Sequence, residues 1–431
     1  MMKYKFLTFF YSFISTFSNL ISSLVIFIVL ARALDKSIFG DYVFYNSLAA
    51  ISCVLIDFGI NQKLLREGRI DLPNLNILFL NNLFFKSYVF SFVFILYSII
   101  LVGILNYDFY SILIFLTVAS FSFFQLSTVV YRVINDYKLD AIVTFIGSFI
   151  FITSCLVITK LTTDIFVICT VLLMVRLSSF LVSLFVINKK VRLSFKYRPI
   201  LFKKLILDTL PYLTDRIVSV LYSNVDTLII KYFIGSVGVA TYNSGLKLAS
   251  GSLGVSTILS NIYIPKISVI NYENNVSIIE ERKVFKELWM LLSIFGLLIV
   301  SVFTFLNTFI SSFFFNDKFP ELIFLLPFFG LFVNTRLMAS YYGIILTAIG
   351  KQKERARANI ISFVGMVVSG IILTYYLGLK GTLLSLIITT ILLITFYMLI
   401  LKRIHFKFLY TKGAFVVFTI TLFIVWTKLS S

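Results

Sequence analysis

Five basic residues lie inside long apolar stretches of the sequence, where charge is costly. They are Arg176, Arg336, Arg216, Lys86 and Lys247. A charge near the centre of a bilayer normally faces a polar interior or an opposite charge. Arg176 and Arg336 lie near the middle of their stretches. For Lys86 and Lys247 a second interpretation stays open, in which the long side chain reaches the headgroups from a helix end. Because arginine and lysine suit phosphate oxygens, the five residues predict a cationic cavity for an anionic substrate.

Three acidic residues in the same stretches are the candidates for binding an ion: Asp57, Asp215 and Asp226. Asp215 is next to Arg216, but adjacent residues of a helix do not face each other, so no ion pair between them is established. Asp226 lies toward one end of its stretch, and both an interfacial and an intramembrane position are open for it. Cations outnumber acids among these residues, which favours an anionic substrate.

The composition requires a bilayer as the solvent. Hydrophobic residues make up 59% of the 431 residues and charged residues 13%, whereas an average soluble domain has about 45–50% and about 25%. This balance excludes a soluble enzyme, a nucleic-acid-binding module and a disulfide-stapled secreted protein. Cys53, Cys155 and Cys169 lie in apolar stretches and His405 in a basic linker, so we expect no disulfide, metal site or cofactor.

Apolar stretches of the length that crosses a bilayer, about 20 residues, occur twelve times. They lie at 9–31, 40–62, 78–103, 110–134, 140–160, 165–187, 207–230, 238–266, 288–314, 322–349, 358–377 and 381–401. The stretch at 413–427 is short, and whether it spans the membrane is left open. The sequence therefore predicts an all-α polytopic membrane protein with twelve core helices and a short additional C-terminal segment.

The basic residues outside these stretches predict the orientation of the chain. With the N-terminus in the cytoplasm, the cytoplasmic connections hold 26 Lys and Arg residues and the opposite connections hold seven. Lysine and arginine accumulate in short cytoplasmic loops of membrane proteins. The net charge of +19 is then mainly a topology signal, and nucleic-acid binding is not needed to explain it.

The chain divides into two halves of six predicted spans. The predicted parts are an N-terminal bundle at 1–187, a basic linker at 188–206, a C-terminal bundle at 207–402 and a basic loop with the short apolar segment at 403–431. Tyr-Asn-Ser occurs at 45–47 and again at 242–244, each time early in the second span of its half. An even number of spans per half predicts parallel repeats, related by an axis along the membrane normal.

The predicted outer connections are all short, roughly a dozen residues or fewer. Membrane glycosyltransferases and polysaccharide polymerases usually catalyse on large outer loops, and the sequence has no nucleotide-binding P-loop. We therefore expect a pathway through the membrane rather than an enzyme.

Three segments of the sequence carry a resemblance to a known family. They are Ala-Arg-Ala-Leu at 31–34 with Phe-Gly-Asp-Tyr at 39–42, Leu-Pro-Tyr-Leu at 210–213 with 226–230 and 238–242, and Leu-Thr-Ala-Ile-Gly-Lys-Gln-Lys at 346–353. In order and placement they resemble the polysaccharide flippases of the multidrug/oligosaccharidyl-lipid/polysaccharide (MOP) exporter superfamily, the Wzx-type O-antigen translocases. The resemblance covers essentially the whole chain, and Asp35 departs from the glycine that is common there.

The resemblance implies two six-helix bundles in a V around a central cavity, in a bacterial cytoplasmic (inner) membrane. It implies a role in lipopolysaccharide biosynthesis, in which undecaprenyl-diphosphate-linked oligosaccharides move from the inner to the outer leaflet by alternating access. A proton or sodium gradient would drive transport, with Asp215, Asp226 and Asp57 as candidates for ion coupling. The expected partners are this substrate, membrane lipids and a polysaccharide polymerase.

Two other functions compete with this interpretation. A drug/cation antiporter of the same superfamily should have a cavity with acidic and aromatic residues, whereas the cavity predicted here is mainly basic. A membrane polysaccharide polymerase or glycosyltransferase is disfavoured by the short outer loops.

The orientation is testable with single cysteines and an impermeant thiol reagent. We expect positions in 188–204 and 351–357 to be shielded in intact cells, and positions in 104–109 and 316–321 to be labelled. Labelling of position 196 from outside would overturn the predicted orientation.

Overall fold

The computed structural model describes residues 2–104, 107–191, 202–272, 278–403 and Thr421. All regular secondary structure in these ranges is helical. Most of the predicted linker and of the predicted C-terminal segment lies outside the described residues, and their boundaries stay predictions. The chain forms two compact units, Met1–Asn224 and Val225–Ser431.

The helices of the first unit follow the predicted spans closely. Their bounds are α1 Met2–Ala33, α2 Lys36–Asp57, α3 Ile60–Ile70, α4 Leu75–Ser98, α5 Tyr110–Val133, α6 Tyr137–Leu161 and α7 Ile165–Val191. A 3₁₀ turn at Leu72–Asn74 precedes α4, and a π-helical turn at Ile99–Ile104 follows it. Helix α1 packs on α6, and α5 packs on α2 and α7.

The second unit begins within α8, since the division between the units falls inside that helix. Its helices are α8 Phe202–Phe233, α9 Ser236–Ser252, α10 Gly254–Tyr272, α11 Ile278–Phe305, α12 Asn307–Phe315, α13 Pro320–Ala348 and α14 Gln352–Arg403. Helix α13 packs on α9, α10, α11 and α14. Thr421, from the predicted C-terminal segment, is buried and accepts a hydrogen bond from Asn334 Nδ2 of α13 at 3.5 Å.

Ten helical segments of the described chain are long and apolar enough to cross a membrane. One of them, Gln352–Arg403, covers two predicted spans and bends at Gly378, whose φ of 60° and ψ of −141° are not helical. Glycine tolerates this backbone conformation, which side chains with a Cβ strongly disfavour. With this bend and with α8, the described chain accommodates the twelve predicted core helices, and the predicted all-α fold is confirmed.

Three predicted spans are interrupted in the structure. The span at 40–62 breaks at Phe58 and Gly59, which both adopt the left-handed conformation. The spans at 238–266 and 288–314 break at Leu253 and Leu306. A pattern based on apolar length alone does not mark these breaks, although Gly59 and Gly254 lie directly at two of them.

Two helices form the centres of the two units. In the most apolar part of each helix, 61% of the residues are buried in α5 and 78% in α13. The corresponding fraction is 56% or less in the other membrane-spanning segments of the described chain. The outer helices expose many large apolar side chains, as expected of a surface that faces lipid. The side chains with the chemistry described below lie on or beside these central helices.

Candidate functional site

An ion pair between Lys86 and Asp57 lies inside the first unit. Lys86 Nζ, on α4, is 2.7 Å from Asp57 Oδ1 and donates a second hydrogen bond to the Ser122 carbonyl oxygen of α5 at 2.9 Å. The Ser122 hydroxyl also donates to Asp57 Oδ1, and Lys86 Nζ lies 5.2 Å from the centre of the Phe123 ring. The lysine side chain is 0% exposed and the aspartate side chain 15%. The pair therefore links α2, α4 and α5.

The break between α2 and α3 places the carboxylate of this pair. Asp57 is the last residue of α2, and the left-handed residues Phe58 and Gly59 follow it. The Phe58 amide closes the helix by donating to the Val54 carbonyl at 3.1 Å. Because the chain turns here and continues as α3, Asp57 lies at a helix junction facing α4.

This pair joins two residues that the sequence assigned to different roles. Lys86 was expected to bind substrate and Asp57 to bind a coupling ion, yet each is the partner of the other. A buried ion pair offsets the desolvation of its two charges only while both partners are present and hydrogen-bonded. The charge of Lys86 is thus already neutralised within its own unit.

Arg176 has a different environment, between two aromatic rings. Its guanidinium carbon is 4.3 Å from the centre of the Phe121 ring of α5 and 3.7 Å from that of the Phe151 ring of α6. Only 8% of the residue is exposed. No carboxylate of the described residues forms an ion pair with it. Cation–π contacts strengthen when the cation is desolvated, so the two rings stabilise the guanidinium in the place of a carboxylate.

Helix α5 lies between Arg176 and Lys86. Phe121 contacts the arginine and Phe123 the lysine. Residues two apart point to different sides of a helix. Arg176 and Lys86 therefore meet α5 from different sides, and of these two only Lys86 has a carboxylate partner among the described residues.

Asp226 is the buried acid of the second unit. It lies on α8 with 4% of its surface exposed. The Tyr242 hydroxyl of α9 donates to its Oδ2 at 2.5 Å, and the Thr227 amide donates to its Oδ1 at 2.8 Å. No basic side chain of the described residues forms an ion pair with it. Thr227 is in turn hydrogen-bonded to Asn243 of α9 at 3.2 Å.

The remaining predicted site residues lie on α8, α9 and α13. Arg336 is half-buried in α13 and Lys247 half-buried in α9, while Arg216 is exposed on α8. The side chain of Asp215 lies outside the described part of the structure. That all five cations line one cavity stays a prediction.

Several residues of these clusters were not expected from the sequence. Ser122, Phe121, Phe151 and Tyr242 hold charged groups but carry no sequence pattern that marks them as such. The one available signal was the repeated Tyr-Asn-Ser, because both tyrosines donate to an aspartate. The Tyr45 hydroxyl is 3.3 Å from Asp108 Oδ2, and the Tyr242 hydroxyl is 2.5 Å from Asp226 Oδ2.

A further ion pair lies at the junction of α5 and α6. Arg132 Nε is 2.9 Å from Asp140 Oδ2, and the aspartate is 1% exposed while the arginine reaches the surface. Arg132 thus ties α5 to α6.

The sequence matches the model of one known protein family. Residues 8–271 match the model of the polysaccharide biosynthesis protein family. The chain belongs to this family. No curated protein matches it significantly. The membership confirms the family resemblance inferred from the three sequence segments.

Several solved structures have a similar fold at low sequence identity. A multidrug resistance MATE family transporter of the MOP superfamily, in an inward-facing conformation, has a TM-score of 0.73 at 15% identity, covering 90% of this chain and 96% of that one. The lipid II flippase MurJ, in an inward closed conformation, has a TM-score of 0.68 at 16% identity, covering 97% and 92%. An outward-facing MATE transporter has a TM-score of 0.61 at 15% identity, covering 92% and 94%. This member of the family is thus a multi-pass membrane protein with the fold of these solved transporters.

The ion pair predicts a strong asymmetry between single and double variants. Lys86→Met leaves a largely buried aspartate without its partner and should lower the free energy of unfolding by about 3–5 kcal/mol. Lys86→Met combined with Asp57→Asn removes both charges and should recover most of that loss. Unfolding of the purified protein in detergent, followed by the loss of helical circular dichroism, measures both.

The matched control is Lys351→Met. Lys351 pairs with Glu354 at 3.4 Å, and both side chains are exposed, so its removal should change stability little. If Lys86→Met were no less stable than Lys351→Met, the ion pair would not be the structural link that its burial indicates.

Proposed function

We propose that the protein is a flippase for lipid-linked oligosaccharides. It moves undecaprenyl-diphosphate-linked O-antigen or similar polysaccharide repeat units from the cytoplasmic to the outer leaflet of the bacterial cytoplasmic membrane. Transport follows alternating access and is coupled to an ion. The observation that carries the proposal is Arg176, an intramembrane cation without a carboxylate partner among the described residues.

Phe121 and Phe151 contact the guanidinium of Arg176 through their rings. The N–H donors lie in the plane of the guanidinium, and in this proposal they bind phosphate. This planar set of donors matches two oxygens of a phosphate at once. In a site of low dielectric constant, a charged hydrogen bond of this kind is stronger than it is in water. Arg176 is therefore suited to one phosphate of a diphosphate.

The second unit supplies further cations for the same substrate. Arg336 lies near the middle of the most buried helix, α13, and Lys247 lies on α9, which packs on α13. Arg216, on the part of α8 that belongs to the first unit, completes the set. In this proposal Arg176 and Arg336 bind the diphosphate, and Lys247 and Arg216 add positive charge around it. Lys86 adds its positive charge only when the carboxylate of Asp57 is neutralised.

Ion coupling is proposed for the buried acids. Proton binding to Asp57 would weaken its hold on Lys86, which keeps its hydrogen bond to the Ser122 carbonyl oxygen. Asp226 has neutral hydrogen-bond partners in Tyr242 and Thr227, so proton or sodium binding would not compete with a cationic side chain there. Asp215 remains a third candidate from the sequence alone.

The proposal predicts the effect of Arg176 variants in a strain that lacks the protein. Arg176→Gln removes charge-assisted hydrogen bonds worth about 1.5–3 kcal/mol, which corresponds to a roughly 10- to 100-fold loss of export. Arg176→Lys keeps the charge but loses the planar donors, and should restore export partly. Surface polysaccharide and the leaflet position of lipid-linked repeat units are measured together, at equal amounts of membrane-inserted protein.

Lys189→Gln is the matched control on the same helix. Lys189 lies at the exposed end of α7, 4.6 Å from the Phe185 ring centre, and its loss should leave export near the wild-type level. Repeat units that reach the outer leaflet but fail to polymerise in the deletion strain would favour a polymerase. Unchanged polysaccharide with new sensitivity to cationic drugs would favour an antiporter.

A further inference from the structure

A buried tyrosine of the first unit has a hydroxyl that forms no hydrogen bond with the described residues. Tyr97 lies on α4 with 6% of its surface exposed. Its ring stacks on Phe115 of α5 with 4.4 Å between the ring centres, so packing holds the ring without help from the hydroxyl. A buried hydroxyl without a partner opposes folding, and a phenylalanine would fill the same space without this loss. The hydroxyl therefore needs an explanation other than stability.

Tyr97 lies beside a polar face of α2. Tyr45, Cys53 and Asp57 are separated by multiples of four residues, which places them on one face of that helix. Tyr45 and Cys53 are buried, and α2 packs on α4. The Tyr97 hydroxyl is close enough to Cys53 and to Tyr45 to interact electrostatically with both. It therefore links the two ends of this polar face.

The Lys86–Asp57 ion pair lies at one end of this face. Cys53 is one helical turn from Asp57 and interacts electrostatically with both members of the pair. Lys86 precedes Tyr97 by about three turns of α4, so the two side chains share a face of that helix. Asp57 is thus approached by Cys53 from its own helix, by Lys86 from α4 and by Ser122 from α5.

The other end of the face reaches the surface of the unit at Asp108. The Tyr45 hydroxyl donates to Asp108 Oδ2 at 3.3 Å, and Asp108 is exposed. Tyr45 and Tyr110 also interact electrostatically with the half-buried Asp41. Asp108 belongs to the connection 104–109, which the sequence predicts on the outer side of the membrane. Negative charge at this end raises the local concentration of protons.

The groups along this face are suited to carry protons. From Tyr45 to Asp57, α2 extends about 18 Å. The polar groups over this distance are two tyrosine hydroxyls, a thiol and a carboxylate. A hydroxyl accepts a proton on its oxygen and releases its own, and chains of protonatable groups within a membrane serve as proton relays. A hard metal cation would instead need several oxygen ligands at one point.

We propose that Tyr45 and Tyr97 form a proton path from Asp108 to the Lys86–Asp57 pair. The inference rests on the proposed function, and it names the proton as the ion that reaches this pair. A proton from water binds the Asp108 carboxylate and passes to the Tyr45 oxygen, while the Tyr45 hydroxyl releases its own proton toward Tyr97. Tyr97 repeats this exchange toward Cys53, and bridging water spans the gaps that are too long for a direct hydrogen bond.

Asp57 is the final acceptor of the proton. Its carboxylate becomes neutral, Lys86 keeps its own proton, and each tyrosine ends with the single hydroxyl proton that it had at the start. The arrival of the proton therefore leaves Lys86 with a positive charge that Asp57 no longer neutralises, as the proposed ion coupling requires.

Flipping driven by a pH gradient tests this path in proteoliposomes that contain the full-length protein. The probe is a fluorescent undecaprenyl-diphosphate-linked oligosaccharide, whose leaflet position is read with a membrane-impermeant quencher. For wild-type protein we expect a pH gradient, acidic on the Asp108 side, to accelerate flipping several-fold, and a sodium gradient to leave the rate unchanged. Tyr97→Phe and Tyr45→Phe should each lose most of the acceleration.

Tyr342→Phe is the matched control in the second unit. Tyr342 lies on α13, is also buried, and its hydroxyl has no hydrogen-bond partner among the described residues. The same substitution there should keep the full acceleration by the pH gradient. Neither Tyr97→Phe nor Tyr342→Phe should lower the unfolding temperature, because neither removes a hydrogen bond. Full acceleration in Tyr97→Phe, or an equal loss in Tyr342→Phe, would overturn the path.

The outcomes separate this inference from the proposed function. If wild-type protein flips the lipid but only a sodium gradient accelerates it, or no gradient does, the proton path fails and the flippase stands. If wild-type protein moves no lipid under either gradient, the flippase fails and the path fails with it.

Discussion

A charged group in the hydrocarbon region must find its partner within the protein, and this constraint organises the structure. The three best-defined intramembrane charges satisfy it in three ways. Lys86 pairs with Asp57, Arg176 stacks between two aromatic rings, and Asp226 accepts hydrogen bonds from a tyrosine and an amide. Each of these three contacts joins two or more helices. The buried charges therefore also hold those helices in position.

The same constraint distinguishes charges that hold the fold from charges that can bind a substrate. The Lys86–Asp57 pair is internally neutral and joins α2, α4 and α5. Arg176 contacts aromatic faces, which stabilise a cation without neutralising it. The proposed transport of a diphosphate depends on this difference, since only a cation that has kept its charge offers the anion a net attraction.

The two units resemble each other in which of their helices is central. The central helices, α5 and α13, are each the fourth membrane span of their half. The Tyr-Asn-Ser repeat places a tyrosine on α2 and another on α9, and each donates to an aspartate of its own unit. The aspartates come from different places, since Asp108 lies just before α5 and Asp226 lies on α8. The units thus keep the tyrosine contact while differing in the acid that receives it.

The sequence was sufficient to predict the spans, because apolar length reports directly on the thickness of a bilayer. It did not predict the breaks at Phe58, Leu253 and Leu306, because the length of an apolar stretch does not show where a helix within it is interrupted. It identified Lys86, Asp57 and Arg176 as intramembrane charges by their cost. Their partners could not be found from spacing, because Asp57 and Lys86 are 29 residues apart and phenylalanines are too common here to single out Phe121 and Phe151.

Transport of a lipid-linked diphosphate through Arg176 is tested most directly by a flipping assay with the purified protein in proteoliposomes. A fluorescent undecaprenyl-diphosphate-linked oligosaccharide is incorporated, and its accessibility to a membrane-impermeant quencher is followed over time. We expect wild-type protein to move the lipid between leaflets much faster than protein-free vesicles do, and Arg176→Gln to fall to near the protein-free rate. Movement at the wild-type rate in Arg176→Gln, or none with wild-type protein under an imposed proton or sodium gradient, would contradict it.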